Sequence, residues 1–179
     1  TCFENDIKNF LAALTVVSIF IDIKNLKKNI FNNIKVPEGR GDISKLKIGN
    51  KKFFLIDESY NSNPMSVASA IKNFDSINVK KDKKHLILGD MLELGIHAKK
   101  HHYNLSKIIN SASINNVNVY GKYIKDTYKN IHRKKKGLIL KKPDEIFSLI
   151  KNNIKNNDYL MIKGSHSTGL NKITSELKK

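Results

Sequence analysis

The sequence predicts an α/β fold: a mostly parallel sheet with one antiparallel edge strand, preceded by a short helical segment. Three observations carry this. From residue 53 onward, apolar runs of strand length alternate with stretches of helical spacing, the pattern of strands joined by crossover helices. Gly49-Asn50 separates two strand-like runs by a two-residue hairpin signal. The Pro/Gly break Val36-Pro37-Glu38-Gly39-Arg40-Gly41 divides this pattern from a purely helical start.

Residues 5–34 read as two helices. Asn5 or Asp6 can cap the first, with Ile7, Phe10, Leu11, Leu14, Val17 and Ile21 at helical spacing. Asp22 can cap the second, with Leu26, Ile30 and Ile34 on one face. After the break, strands are expected at 43–48, 53–57, 85–88, 117–120, 138–140 and 159–163. The first two form the antiparallel hairpin. Helices are expected at 64–74, 98–109, 123–131, 144–154 and 170–177. Right-handed crossovers put every strand-to-helix loop on one edge of such a Rossmann-like sheet, and ligands bind at that edge.

Composition alone points elsewhere. The 179 residues carry a net charge of +17, which suggests a nucleic-acid binder. Against this, the lysines are spread over every segment, and Lys, Asn and Ile share A/T-rich codons. The densest clusters, Lys80-Lys81-Asp82-Lys83-Lys84 and Arg133-Lys134-Lys135-Lys136, flank strands and lack interleaved aromatics, whereas stacking and base readout use aromatics and arginine. Cys2 is the single cysteine, so no disulfide forms within the chain, which suits a reducing cytoplasm. The apolar run 10–21 is too short to span a bilayer and reads as a packed helix. No signal peptide is evident. Because the chain begins with Thr1, it is expected to be a piece of something longer.

Three strand-to-helix loops carry polar chemistry. In the first, Asp57-Glu58-Ser59-Tyr60-Asn61-Ser62-Asn63-Pro64, Asn63 and Pro64 fit an N-cap and the first helical position. A cap does not account for Asp57, Tyr60 and Asn61 together. A carboxylate at a strand end can accept hydrogen bonds from ribose or amine groups. The second loop, Gly89-Asp90-Met91-Leu92-Glu93-Leu94-Gly95, mixes acids and apolar residues and suits an ammonium beside a small methyl-bearing group. The third, Lys163-Gly164-Ser165-His166-Ser167-Thr168-Gly169, offers a lysine and backbone N–H groups to an anion. It lacks the order of a phosphate-binding P-loop. His97, His101 and His102 have no matching ligand set for a metal, and a surface or capping role is expected. No Gly-x-Ser-x-Gly, His-Glu-x-x-His or Gly-x-Gly-x-x-Gly string occurs.

Taken in order, these segments resemble the Mur ligases, and within that family the branch that joins D-alanyl-D-alanine to UDP-N-acetylmuramoyl tripeptide. The matching strings are Val36-Pro37-Glu38-Gly39-Arg40, Leu55 through Pro64, Leu88 through Gly95, His102, and Lys163-Gly164-Ser165. Asn9-Phe10-Leu11-Ala12-Ala13 resembles the end of the family's central domain. The resemblance implies that residues 1–36 are the helical tail of a central ATP-binding domain, and that 37–179 form the family's C-terminal Rossmann-like domain. The family's P-loop, magnesium ligands and carbamylated lysine have no counterpart in this sequence.

The resemblance also implies chemistry. ATP phosphorylates the tripeptide carboxylate, the amine of D-alanyl-D-alanine attacks the acyl phosphate, and domain closure completes the site. This is a cytoplasmic step of peptidoglycan synthesis, with Mg2+ held mainly by the central domain. Asn9 would contact adenine, Arg40 the ATP phosphates and Asp57 the ribose. Tyr60, Asn61, Asn63, Asp90, Met91, Glu93, Lys163 and Ser165 would line the nucleotide and dipeptide side. No catalytic residue is assigned, and no metal ligand. His166 stands where the family usually has arginine, and Ile96 and Asn171 stand where acids are common. Two alternatives stay open: a sibling ligase adding a single amino acid, and a basic α/β module for nucleic acid.

Overall fold

The computed structural model of the chain describes residues 4–30 and 36–179. They form two compact units, one within the first 35 residues and one from Val36 to Lys179. In the first unit, α1 spans Glu4–Val17. The second expected helix does not continue from Asp22. Asp22 accepts a hydrogen bond from the Lys24 N–H, which closes a single 3-10 turn, Ile23–Asn25, and Leu26 then turns extended. A side chain that satisfies its own neighbour's backbone competes with helix growth. The expected position of Ile34 lies outside the described residues. In the run 10–21, Phe10, Leu14 and Val17 are half-buried while Leu11, Val16, Ile19 and Phe20 are exposed.

The second unit is a six-stranded sheet. The strands are β1 (Asp42–Ile48), β2 (Lys51–Glu58), β3 (Lys84–Gly89), β4 (Asn116–Tyr120), β5 (Lys136–Leu140) and β6 (Tyr159–Lys163). Their order is β1-β2-β6-β3-β4-β5. Only β1 and β2 pair antiparallel, with Ile48 opposite Lys51. Gly49 and Asn50 therefore make the two-residue turn, and Gly49 supplies the left-handed backbone it needs (φ +58°). The other pairings are parallel. The last strand thus inserts between β2 and β3.

The helices are α2 (Pro64–Ser76), α3 (Ala98–Ser111), α4 (Ile124–Asn130), α5 (Glu145–Asn153) and α6 (Leu170–Leu177). Side chains alternate across the sheet and build two cores. On one face Ile56, Leu86, Leu88, Val117, Val119 and Met161 meet α2, α3 and α4 through Val67, Phe74, Leu105, Ile109 and Ile124. On the other, Leu55, Ile87, Leu160 and Ile162 meet α5 and α6 through Ile146, Leu149, Ile150, Leu170 and Ile173. Strands buried on both faces explain the continuous apolar runs that marked them in the sequence.

Two lysines from the basic clusters are buried rather than solvated. Lys84 donates to the Asp75 carbonyl at the end of α2 (2.5 Å). Lys135 donates to the carbonyls of Ala112 and Ile114, just beyond α3. Both satisfy orphan carbonyls near helix C-termini, and burial lowers the pKa of each ammonium.

His85, on β3, donates from Nε2 to Asp158 (3.0 Å) and is buried. Burial pulls its pKa below the ordinary value of 6.5, against the opposing pull of Asp158. The unfolded chain therefore binds this proton first, so stability from His85 is present above about pH 6.5 and is lost as pH falls below it. Thermal melts should decline from pH 7 toward pH 5.5 at about the usual histidine range. The His85→Gln variant should decline less over that interval; an identical slope would remove His85 as the cause.

Candidate functional site

Insertion of β6 between β2 and β3 brings three loops side by side at the carboxyl ends of the parallel strands. They are residues 59–63 after β2, 164–169 after β6 and 90–97 after β3. This is the switch point of the sheet, where open α/β folds place ligands. The first loop ends in a capping box. Asn63 accepts from the Ser66 N–H (2.8 Å), and Ser66 accepts from the Asn63 N–H (3.0 Å). Pro64 opens the helix, an arrangement that fixes where α2 starts.

Ser165 ties the three loops together. Its hydroxyl accepts from the Leu92 N–H (2.9 Å) and donates to the Ser62 carbonyl (3.3 Å), while its N–H donates to the Asp90 carbonyl (3.0 Å). Lys163 adds a second tie. Its ammonium donates to the Asn61 carbonyl (3.0 Å) and pairs with Glu58 (3.3 Å). Lys163 is buried, and burial lowers its pKa; the Glu58 carboxylate opposes this and nearby Arg40 adds to it.

Arg40 and Tyr60 meet at the surface. The guanidinium lies 4.2 Å from the Tyr60 ring centroid, within cation–π range. Gly39, just before Arg40, has φ +74°, and a Cβ there would sit 2.9 Å from the Tyr60 nitrogen. Only glycine lets the two segments approach this closely. His166 meets the Tyr60 ring edge-on and accepts from the Asn171 side-chain amide (2.9 Å).

Asp57 is buried and already engaged. It accepts from the Ser59 N–H and hydroxyl (3.0 and 2.6 Å) and from Lys178 (2.7 Å). Lys178 also bonds Asp42 (2.6 Å). Burial disfavours the Lys178 charge, but the two carboxylates outweigh it and raise its pKa. A lysine near the C-terminus thus clamps both strands of the hairpin.

The β3 loop divides its roles. Asp90 accepts from the backbone N–H groups of Lys122 (2.8 Å) and Ile124 (2.7 Å), so it caps the start of α4. Gly121 accommodates it: a Cβ there would lie 2.4 Å from the carboxylate. Met91 is buried in the core, and its N–H donates to His102 Nε2 (3.1 Å). His102 is fully buried and donates from Nδ1 to the Ala98 carbonyl (2.8 Å). His102 therefore takes neither the surface nor the capping role expected of it: from inside α3 it ties the β3 loop to that helix. Glu93 is exposed, with the left-handed φ of +62°, a conformation uncommon for a non-glycine residue.

Of the residues singled out from sequence, the second unit gathers Arg40, Asp57, Tyr60, Asn61, Asn63, Asp90, Met91, Glu93, Lys163 and Ser165 on one sheet edge. Asn9 lies exposed on α1 of the first unit. Sequence reasoning missed Lys178, Ser59 and Gly121. The partners of Lys178 and Gly121 lie far along the chain; Ser59 bonds Asp57 only two residues away, inside the loop already singled out.

Removing the Asp90 carboxylate leaves the N–H groups of Lys122, just before α4, and Ile124, its first residue, without that acceptor. Asp90→Ala should cost about 2–4 kcal/mol in urea unfolding, the scale of lost hydrogen bonds to a buried charge. A loss below about 1 kcal/mol would mean that water replaces the cap.

The family model for the Mur ligase, glutamate ligase domain, matches residues 45–166. The UDP-N-acetylmuramoyl-tripeptide–D-alanyl-D-alanine ligase of Buchnera aphidicola subsp. Baizongia pistaciae is 31% identical over 178 residues, covering 98% of this chain and 36% of that protein. The ligase of the same name from Rickettsia prowazekii is 28% identical, covering 92% of this chain and 35% of that protein. The chain therefore spans about a third of the length of these relatives. Among solved structures, MurF from Acinetobacter baumannii superposes with a TM-score of 0.76 at 20% identity, over 98% of this chain and 38% of that one. MurF from Thermotoga maritima in complex with ADP gives 0.66 at 21%, over 94% and 36%. These two likenesses bear on the fold. With a family match over more than half its length, the chain belongs to the Mur ligase glutamate ligase domain family.

Proposed function

We propose that this chain is the C-terminal part of an ATP-dependent ligase that adds D-alanyl-D-alanine to UDP-N-acetylmuramoyl tripeptide in cytoplasmic peptidoglycan synthesis. The observation that carries it is the convergence of the β2, β3 and β6 loops at one switch point, held together by Ser165 and Lys163. These are the loops whose strings resemble that branch, and the relatives above carry its name. On this reading residues 1–36 are the tail of the central ATP-binding domain, 37–179 are the closing domain, and Asn9 meets the adenine.

The residues present fit a nucleotide at this edge. Arg40 and the Tyr60 face are exposed beside each other, a cation and a ring that can meet phosphates and base. Asp57 would reach a ribose hydroxyl only by sharing the oxygens that Ser59 and Lys178 hold, so its first role is to order the hairpin. Among the described residues no three His, Cys, Asp or Glu side chains group as a metal site. On this reading, from the family resemblance, Mg2+ is held mainly by the central domain. Bound ATP supplies the phosphoryl group that activates the tripeptide carboxylate. What this chain supplies is closure, orientation of the amine and exclusion of water.

Lys163, buried and shared between the Glu58 carboxylate and the Asn61 carbonyl, holds the β2 loop in place and so acts as a positioning residue. The nucleic-acid alternative is weakened by Lys84 and Lys135, two members of the basic clusters that face inward. Among the described residues no helix is long and apolar enough to cross a membrane.

Three outcomes test the reading. The purified 179 residues should show no steady ATP turnover; sustained hydrolysis would sink it. Joined to the family's N-terminal and central domains, the chain should support phosphate release that depends on D-alanyl-D-alanine, and single amino acids should not substitute. Preference for a single amino acid would move it to the sibling branch. In that assembly Lys163→Met should lower kcat by about a hundredfold, as misplacement of a positioning loop does, with the chain still folded by circular dichroism. Unchanged kcat would confine Lys163 to a structural role.

A further inference from the structure

The opposite edge of the sheet, where the parallel strands begin, carries the basic clusters that the candidate site leaves unused. Lys80 and Lys81 precede β3, Arg133 and Lys134 precede β5, Lys155 precedes β6, and Lys52 lies near the start of β2. All six are exposed, and among the described residues none has a carboxylate partner. Asp82 is the exposed acid beside them. These strands lie within the run β2-β6-β3-β4-β5, so the cations are strung along about 19 Å, four strand spacings. Two of the loops meet. Burial lowers the Lys135 pKa, and the like charges of Lys134 and Lys81 lower it further against Asp75. Cations from the loops before β3 and β5 therefore stand near one another. Helix ends do not account for the six. Carbonyls at this edge are taken by other lysines: Lys84 on Asp75, Lys135 on Ala112 and Ile114, and Lys136 on Lys129.

We propose that this edge docks on an anionic lipid surface. Unpaired cations held side by side call for a partner of dense negative charge. Acidic proteins, nucleic acids and anionic membranes all have it, and the side chains around the cations choose among them. The loops before β3, β5 and β6 expose no large apolar side chain, whereas a protein interface buries an apolar or aromatic centre. They contain no Phe, Tyr or Trp, and five of the six cations are lysine. Single-stranded nucleic acid stacks its bases on aromatics, and base edges are read most often by arginine. A plane of phosphate headgroups asks for neither. It rewards point charges spread along a line, each lysine near the surface contributing up to about fivefold in affinity. A chain docked by this edge keeps its β2, β3 and β6 loops, at the other end of the strands, open to solution. None of the six cations belongs to the candidate site, so the inference is independent of the ligase reading.

The test is co-sedimentation of the 179-residue chain with vesicles at about 0.15 M salt, where distant charge is screened. One set of vesicles mixes phosphatidylglycerol with phosphatidylcholine, and the other is phosphatidylcholine alone. Oligouridylate at the same phosphate concentration is the nucleic-acid probe. The mixed vesicles should bind the chain saturably, and the neutral ones should not. The variant Lys80→Gln, Lys81→Gln, Lys134→Gln, Lys155→Gln should weaken that binding by about a hundredfold, the product of several such lysine contributions. A control variant, Lys99→Gln, Lys100→Gln, Lys122→Gln, Lys125→Gln, removes exposed lysines from the other end of the strands. It should weaken binding by less than about threefold, because a five-residue strand sets those charges about 17 Å away, beyond the screening length of about 8 Å. Both variants carry the same net charge, so their difference reads the edge and not the composition. Absence of binding to the mixed vesicles, equal binding to the neutral ones, equal losses in the two variants, or tighter binding of oligouridylate would each overturn the proposal.

Discussion

The constraint on which the rest depends is the wedging of β6 between β2 and β3. Neither neighbour can complete its hydrogen bonds without it. Phe54 to Glu58 pair along one side of β6 and Lys84 to Leu88 along the other. The residues that leave β6, Lys163 and Ser165, are thereby set between two loops that would otherwise be a strand apart. Their polar atoms then find partners on both sides. Gly89 and Gly164 belong to the same constraint, since a Cβ on either would approach the Leu170 side chain to 2.8 Å. The strands can lie this close at their ends because both positions lack one.

Electrostatics at the edge follows the same geometry. The chain is strongly basic, yet the acids that matter are few and committed. Asp90 caps α4, Asp57 and Asp42 share Lys178, and Glu58 faces Lys163. Each joins parts of the chain distant in sequence. A carboxylate that holds two segments in register contributes more to positioning than to affinity, because its oxygens are already hydrogen bonded. Facing solvent are mostly cations and aromatics, Arg40, Tyr60, His166 and the lysines of the β4 and β5 loops, with Glu93 as the exposed acid among them. The exposed edge therefore presents positive charge over an internally neutralised frame.

Much of this was legible in the residues. Strand positions followed from apolar runs because a sheet covered on both faces needs both sides of each strand apolar. The hairpin followed from Gly49-Asn50, and the α2 start from Asn63-Pro64. After the Pro/Gly break, helix ends fell within about two residues of expectation, as capping arguments allow; α1 instead stops at Val17, short of Ile21, and holds Asn5 and Asp6 within it. The second N-terminal helix was not legible correctly. Asp22 is a good cap by type, and sequence does not say whether a cap is followed by a helix or closes one turn. The loops were recognisable as a site, but the division of labour inside them was not. Asp57 and Asp90 look like ligand carboxylates until Lys178 and Gly121 appear beside them, and those pairings span 121 and 31 residues respectively. Long-range pairing of this kind leaves no periodic trace.

The buried lysines carry a consequence for mutational tolerance. Lys is one base change from Arg, and on the exposed surface the exchange keeps the charge and disturbs little. At Lys84, Lys135 and Lys163 it is a different substitution. Each threads a thin aliphatic stem through packed surroundings and ends in a compact group that donates to main-chain carbonyls. A planar guanidinium is wider and more rigid than that space. These three positions should therefore act as fixed points, unlike the exposed lysines that hold no partner.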